Sequence, residues 1–352
     1  MPFPKMYVEG FHDSEAVAKM KYNILGRTGL KTSFLSFGAS ALGSVFRPTN
    51  EEDSIEVVKY AVKSGINYID TAPWYGHGKA ETLLGKVLPE LPRETYYLAT
   101  KVGRYLPQAE QMFDFRAERV ISSVDESLQR MGQEYIDVIQ VHDMEFAPSL
   151  DVIINETLPA LQKVKDSGKA RFIGITGYPL ENFRTVIDRS QVQIDIVLTY
   201  CRGALNDSSL LDYIPYFQEK GVGIINASPH GMGLLSPRGS AAWHPAHSDI
   251  KQACREAAQY CEEKGVDISR IAMDFALNLS GVHTTLFSTA SLENLKKNLS
   301  LLSNPLSEVE RTTLQEVMEK FMTPLNNKHW EGVEVARYWD KIKGKMGEAV
   351  LG

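Results

Sequence analysis

Tyr68-Ile69-Asp70-Thr71-Ala72-Pro73-Trp74-Tyr75-Gly76 begins as a short apolar run and ends on an acid. That is the pattern of a β-strand with a carboxylate at its tip. Pro73 and Gly76 break the strand into a loop that carries Tyr75, five residues past the acid. A second strand-like run, Tyr97-Leu98-Ala99-Thr100, ends in Lys101, and a third, Ile136-Asp137-Val138-Ile139-Gln140-Val141, ends in His142. A lysine or histidine at the end of one strand is commonplace. Four titratable groups at or just past the ends of three successive strands are different. If the strands are parallel neighbours, the four side chains converge on one rim, where a βα barrel carries its active site.

Outward from this stretch, strand and helix alternate. Lys21–Leu25 and Lys31–Phe34 flank Gly26-Arg27-Thr28-Gly29 and read as a hairpin, suited to plug the bottom of a barrel. Leu35-Ser36-Phe37-Gly38-Ala39-Ser40 is a first barrel strand, ending in small residues that let a ligand approach. Asn50 caps a helix with Glu51, Glu52 and Asp53 in its first turn, and Gly65 stops it. Further strands are expected at 171–176, 194–199, 222–226 and 284–287. Helices are expected at 80–87, 116–131, 153–167, 180–188, 210–220, 251–264 and 269–279. Eight strand–helix units imply a parallel sheet closed on itself, an α/β fold of the (β/α)8 TIM-barrel type. Residues 1–20 read as a flexible arm and 21–352 as a single barrel domain.

The composition narrows the function classes. The 352 residues are 43% hydrophobic and carry 38 basic against 44 acidic side chains, a net charge of −6. No basic patch stands out, so nucleic acid is not an expected partner. No apolar run reaches transmembrane length, and the first residues lack a signal core, so no membrane partner and a cytoplasmic location are expected. Cys201, Cys254 and Cys261 show no metal-ligand spacing and fit a reducing compartment, with the latter two packed on one helix face. No metal is expected. Trp243-His244-Pro245-Ala246-His247 lacks the cysteine or carboxylate that would complete a site and reads as a capping loop.

A buried lysine beside Tyr75 favours its phenolate, and Asp70 holds that lysine charged. Tyr75 is then a general acid towards a carbonyl oxygen, or a base in reverse, with His142 orienting the carbonyl. Such a rim moves a proton and needs a separate hydride donor. Two loops suit a dinucleotide. One is the Gly-rich run Ser228-Pro229-His230-Gly231-Met232-Gly233-Leu234, whose backbone N–H groups suit a pyrophosphate. The other is Ser288-Thr289-Ala290-Ser291, opening a helix with Asn294 and Asn298. No GxGxxG follows a strand to open a helix, which disfavours a Rossmann domain.

These stretches, with Leu25-Gly26-Arg27-Thr28-Gly29-Leu30, resemble the aldo-keto reductase superfamily over almost the whole chain. The resemblance implies a tetrad of Asp70, Tyr75, Lys101 and His142. It implies a cofactor site from Gly38, Ala39, Ser40, Asp70, Thr176, Ser228, Pro229, Gly231, Gly233, Leu234, Ser288, Thr289, Ser291, Asn294 and Asn298. Phe37–Gly43, Leu198–Cys201, Ala227-Ser228-Pro229 and Asn327-Lys328-His329-Trp330 resemble the L-galactose dehydrogenase and aldose 1-dehydrogenase members in particular. Three departures bear on the cofactor. Thr176-Gly177 stands where many members carry Ser-Asn. Ala227 replaces an aromatic on which nicotinamide stacks. Ser288 and Asn294 stand where NADPH-preferring members place cations. NAD is therefore favoured; Lys296 and Lys297 keep NADP open, or form a solvated face.

Phe46, Trp74 and Tyr105, with Tyr75 and His142, are candidate substrate contacts; the three loop aromatics also suit loop packing. Trp330 and the tail either fold over the pocket or form a peripheral helix. The expected activity is NAD(P)-dependent oxidation of an aldose to a lactone by a monomer or weak homodimer. General carbonyl reduction, a non-catalytic nucleotide-sensing role and nucleotide-free barrel chemistry are the alternatives.

Overall fold

The computed structural model describes residues 4–45 and 47–350, without the side chains of 345–350. Two short strands, β1 (Tyr22–Ile24) and β2 (Lys31–Ser33), form an antiparallel hairpin. Eight parallel strands follow: β3 (Leu35–Gly38), β4 (Tyr68–Asp70), β5 (Tyr97–Val102), β6 (Ile136–Val141), β7 (Ala170–Gly177), β8 (Ile196–Tyr200), β9 (Gly223–Ala227) and β10 (Thr284–Ser288). They close in chain order, with β10 pairing back onto β3. The helices are α1 (Ser14–Lys19), α2 (Glu51–Lys63), α3 (Lys79–Val87), α4 (Ala109–Met112), α5 (Ala117–Met131), α6 (Leu150–Val152), α7 (Leu158–Asp166), α8 (Leu180–Arg189), α9 (Leu210–Glu219), α10 (Ser248–Glu263), α11 (Ile268–Leu277), α12 (Leu292–Ser300), α13 (Glu308–Val317) and α14 (Val333–Val350). A π-turn at Ile153–Thr157 joins α6 to α7, so the helix expected over 153–167 is one continuous unit. Among the described residues no helix is long and apolar enough to cross a membrane.

Strand parity sorts the residues. Alternate side chains of a strand point to opposite faces. Tyr68, Ala99, Val138, Ile196, Leu198, Ile225, Ala227 and Leu286 form a buried cluster inside the barrel. Leu25 and Leu30 of the hairpin belong to the same cluster, which is the plug expected at the bottom. The other parity, including Ile69, Leu98, Ile139, Ile173, Val197 and Ile224, packs outward under the helices. On α5, Val120, Val124 and Leu128 are buried, and Gly132 in the left-handed region (φ 63°) ends the helix. Cys254 and Cys261 are buried on α10 as small core residues.

The N-terminal stretch departs from the flexible arm expected over 1–20. Asp13 caps α1 by accepting the N–H groups of Glu15 and Ala16. Val17 and Met20 are buried, and the backbone N–H of Asp13 donates to Lys63 O at 2.9 Å. Acidic and lysine residues hid the two apolar anchors, which lie three apart and share one helix face.

Candidate functional site

Following the inward parity to the carboxyl ends of the strands brings three of the titratable groups together, and the loop after β4 brings Tyr75 to them. Asp70 follows Tyr68, Lys101 follows Ala99, and His142 follows Gln140, each two residues further up its own strand. Asp70 and Lys101 are buried, and Lys101 Nζ donates to Asp70 Oδ1. The same ammonium donates to Thr71 O at 2.8 Å and lies 3.4 Å from the Tyr75 hydroxyl. The Tyr75 and His142 rings meet edge to face with centroids 5.8 Å apart. His142 Nδ1 is buried with no hydrogen-bond partner among the described residues.

Tyr75 is held by backbone. A Cβ on Gly43 would lie 2.4 Å from Tyr75 C, and one on Gly76 (φ 66°) would lie 2.3 Å from Gly43 O. The loops after β3 and β4 therefore touch backbone to backbone on either side of the phenol's own peptide.

The electrostatics correct one expectation. Enclosure raises the Tyr75 pKa, and the pull of Lys101 in the opposite direction does not overcome it, so the phenol stays protonated in the free protein. For Lys101 burial is the largest influence and acts downward. Asp70 and Tyr75 together reverse it, and the net shift is upward. His142 falls to about 3 through burial, with Lys101 and Arg104 adding to the effect against Asp143, so its imidazole is neutral. Such an arrangement can donate a proton from Tyr75 and a neutral hydrogen bond from His142 to one oxygen.

Gln140 had no place in the sequence reading. Its Nε2 donates to Asp70 Oδ2 at 2.7 Å, so both oxygens of the buried carboxylate are bonded. A polar residue two before His142 in an apolar strand was the available signal, because the two share a face. Arg104 and Asp143 were missed as well. They pair at 2.6 Å, Asp143 Oδ2 lies 3.7 Å from His142 Nε2, and the Arg104 guanidinium lies 4.1 Å from the Trp74 ring.

Of the other expected substrate contacts, Phe46 lies outside the described residues. Trp74 stands at the rim, half-buried beside Tyr75. Tyr105 does not line the pocket. Its hydroxyl accepts the Gly103 N–H at 2.8 Å and its ring packs under Arg119 of α5, 3.9 Å away. The aromatic ring of this residue is spent on fixing the loop after β5.

The expected cofactor residues fall at the carboxyl ends of β3, β4, β7, β9 and β10. Gly38 packs against β10, where a Cβ would lie 3.2 Å from Phe287 O. Ala39 N–H donates to Asp70 O, Ser40 O accepts Val45 N–H, and Ser288 Oγ accepts Ala41 N–H. Thr289 Oγ1 accepts Ser291 N–H and Ser291 Oγ accepts Asn294 N–H, capping α12. Asn294 is exposed and Asn298 half-buried on that helix. After β9, Ser228, Gly231, Met232 and Gly233 all take positive φ. The expectation of free N–H groups there needs correcting: those of Gly231, Gly233 and Leu234 donate within the loop's own turns, and the Leu234 side chain is in the core. Pro229 is buried beside them. Thr176 Oγ1 accepts the Asp143 N–H at 3.1 Å.

A further group at these strand ends is consistent with a polar ligand. Thr199 Oγ1, both amide atoms of Asn206 and Asn226 Oδ1 are buried without a hydrogen-bond partner among the described residues. A Cβ on Gly231 would lie 3.3 Å from Asn206 Oδ1, so this cluster adjoins the loop after β9. Buried polar atoms are ordinarily paired, and here the missing partner fits the polar edge of a dinucleotide. In the capping loop, His244 Nε2 donates to Gly231 O at 3.0 Å and Nδ1 accepts Ala246 N–H. Trp330 is buried, stacks on Tyr178 at 4.7 Å and meets His244 edge-on at 5.1 Å. The tail therefore folds back onto the rim, and α14 continues from it as a helix.

The chain is similar to known proteins over most of its length. The "Aldo/keto reductase family" profile matches residues 34–319. The chain is 44% identical over 318 residues to L-galactose dehydrogenase of Arabidopsis thaliana, covering 89% of this chain and 98% of that protein. It is 32% identical to D-arabinose 1-dehydrogenase of Saccharomyces cerevisiae, covering 70% and 77% of the two chains. A holo-form aldo-keto reductase from Bacillus halodurans superposes with a TM-score of 0.68 at 27% identity, covering 85% of this chain and 96% of that one. The chain belongs to the aldo/keto reductase family and is an NAD(P)-dependent oxidoreductase.

Proposed function

We propose that this enzyme oxidises an aldose at C1 to the lactone, with L-galactose or a close relative as substrate and NAD+ as the preferred acceptor. The observation that carries the chemistry is the buried ammonium of Lys101, bonded to Asp70 and in reach of the Tyr75 hydroxyl. The substrate class is supported by the two sugar dehydrogenases to which the chain is similar.

When bound, nicotinamide supplies the two-electron acceptor for the hydride that leaves C1. Tyr75, as phenolate, takes the proton of the anomeric hydroxyl while the C1–O bond becomes a carbonyl. Lys101 holds the phenolate by charge, and Asp70 and Gln140 hold Lys101. His142, neutral, donates to the same oxygen. In the reverse direction Tyr75 returns the proton to the carbonyl. Ser228, Ser288, Thr289, Ser291 and the Gly231–Gly233 turn would hold the dinucleotide, with Thr176, Asn206 and Asn226 meeting polar edges.

The preference for NAD+ is supported by the disposition of charge on α12. Lys297 is paired with Glu293 at 2.8 Å, and Lys296 lies over the Tyr60 ring at 5.1 Å. Neither cation is poised for a 2′-phosphate, and Glu293 would repel one. The test is a panel of aldoses with NAD+ and NADP+, L-galactose first, using wild type and Tyr75→Phe. Expected is NADH formation that the variant loses. Reduction of simple carbonyls by NADPH without aldose oxidation would replace this reading with general carbonyl reduction. Nucleotide binding without turnover on any substrate would replace it with a sensing role.

A further inference from the structure

The rim beside the tetrad carries a charge pair that no step above uses. Arg104 follows β5, Asp143 follows β6 and Trp74 follows β4, so three successive loops meet next to Tyr75 and His142. Arg104 is fixed by a β-bridge to Phe113 and by its bond to Asp143 at 2.6 Å. Its guanidinium lies over Trp74 at 4.1 Å, with Phe113 and Phe146 at 5.2 and 5.8 Å. Arg104 Nε is buried and has no hydrogen-bond partner among the described residues. Asp143 is buried and takes a left-handed backbone (φ 49°), with its N–H held by Thr176 Oγ1 at 3.1 Å. Its carboxylate therefore comes from a fixed backbone and reaches to 3.7 Å from His142 Nε2. Phe113 and Phe146 stack at 4.4 Å, and Tyr338 of α14 closes over both at 5.1 and 5.7 Å.

A planar donor and a carboxylate acceptor side by side, next to an indole face, match vicinal hydroxyls on a carbon skeleton. The carboxylate accepts from one hydroxyl, the guanidinium donates to its neighbour, and the indole covers the C–H face. A purely apolar carbonyl substrate would leave Arg104 Nε unpartnered and give the pair nothing beyond the bond its two members already make. We propose that the Arg104–Asp143 pair on Trp74 reads the hydroxyl adjacent to the reacting carbon and so selects polyhydroxylated substrates. The proposal deepens the aldose reading and rests on the same site, since it names what in the pocket recognises a sugar.

The test is the ratio of kcat/KM for glyceraldehyde to that for propanal, in the reductive direction with NAD(P)H. The two differ by the hydroxyls alone. Wild type is expected to favour glyceraldehyde by at least about tenfold, the size of one charge-assisted hydrogen bond. In Asp143→Asn and in Arg104→Met the ratio is expected to fall by about tenfold or more, mainly through KM for glyceraldehyde. Asparagine tolerates the left-handed backbone at 143, so this variant keeps the fold. A flat ratio in wild type overturns the proposal without any variant. A ratio that stays constant while both rates fall overturns it too, because the pair would then only orient His142. Aldose oxidation with a flat ratio would leave the function standing and remove this subsite. A strong hydroxyl preference without aldose oxidation would do the reverse.

Discussion

Gln140→Leu tests the support beneath the tetrad. The amide of Gln140 donates to Asp70 Oδ2 at 2.7 Å, inside a barrel where both residues are fully buried. Leucine has a similar volume, so the change creates little cavity and removes one bond to a charged group. Such bonds contribute about 1.5–3 kcal/mol, and an unpaired charged oxygen lies at the upper end. A chain of this length has an unfolding entropy of about 0.7 kcal/mol/K, so a loss of 2 kcal/mol lowers Tm by about 3 °C. The better assay is a double-mutant cycle with Asp70→Asn, followed by urea unfolding. The coupling energy between the two sites should be about 1.5–3 kcal/mol. Activity should fall about tenfold or more in kcat with little change in KM, because Asp70 no longer sets where Lys101 sits. Coupling below about 0.5 kcal/mol, the ordinary limit of additivity, would refute the reasoning. It would mean that Lys101 alone fixes the carboxylate.

Three further predictions follow from other parts of the molecule. Because enclosure raises the Tyr75 pKa, oxidation should accelerate with rising pH as the phenol is deprotonated; Lys101→Met, which removes the opposing charge, should move that limb to higher pH in a rate profile. His244 is lowered to about 4 by burial, so the unfolded chain binds its proton first. Its contribution is present above about pH 6.5 and disappears as pH falls towards 4, and urea titrations of His244→Gln should show a shallower acid limb. Trp330→Ala should lose about 3–5 kcal/mol of packing on Tyr178. Limited proteolysis should then cut the tail before the barrel; cleavage at the wild-type rate would argue that the tail is held by other contacts.

The barrel was legible because strand–helix alternation, caps and glycine stops are local signals. All eight parallel strands fall within a residue or two of where the sequence places them. The N-terminal helix was not legible, because two buried apolar residues, Val17 and Met20, are outnumbered by exposed charge. The tail's packing was not legible either, since the Trp330–Tyr178 stack joins residues far apart in the chain. The fate of Tyr105 was undetermined for a related reason. A loop aromatic gives no local sign of whether it faces a ligand or, as here, an arginine on the next helix.

The site shows how far strand parity alone can be pushed. Asp70, Asp137 and Asp195 each sit in or directly beside a strand, and of these three Asp70 reaches the rim inside the barrel. Asp137 is bonded by Arg93 and Arg171, each at 2.7 Å, and accepts Leu98 N–H, near the start of β6. Asp195 precedes β8, lies 3.1 Å from Lys165 and accepts Ile173 N–H. Both tie neighbouring strands together at the amino ends, where a TIM barrel invests in stability. Asp70 has the opposite address: the last residue of its strand, on the inward row. The same rule selects Lys101 and His142, and it would have selected Gln140 had the inward row been followed down from His142. It does not reach Arg104 or Asp143, which lie past the strand ends, where periodicity stops and loop backbone decides. Asp143 owes its place to a left-handed residue and to Thr176 on the neighbouring strand. The parts of the pocket that periodicity fixes are therefore Asp70, Lys101 and His142, which flank the phenol. Tyr75, which moves the proton, is placed by loop backbone against Gly43 and Gly76, as Arg104 and Asp143 are placed by theirs.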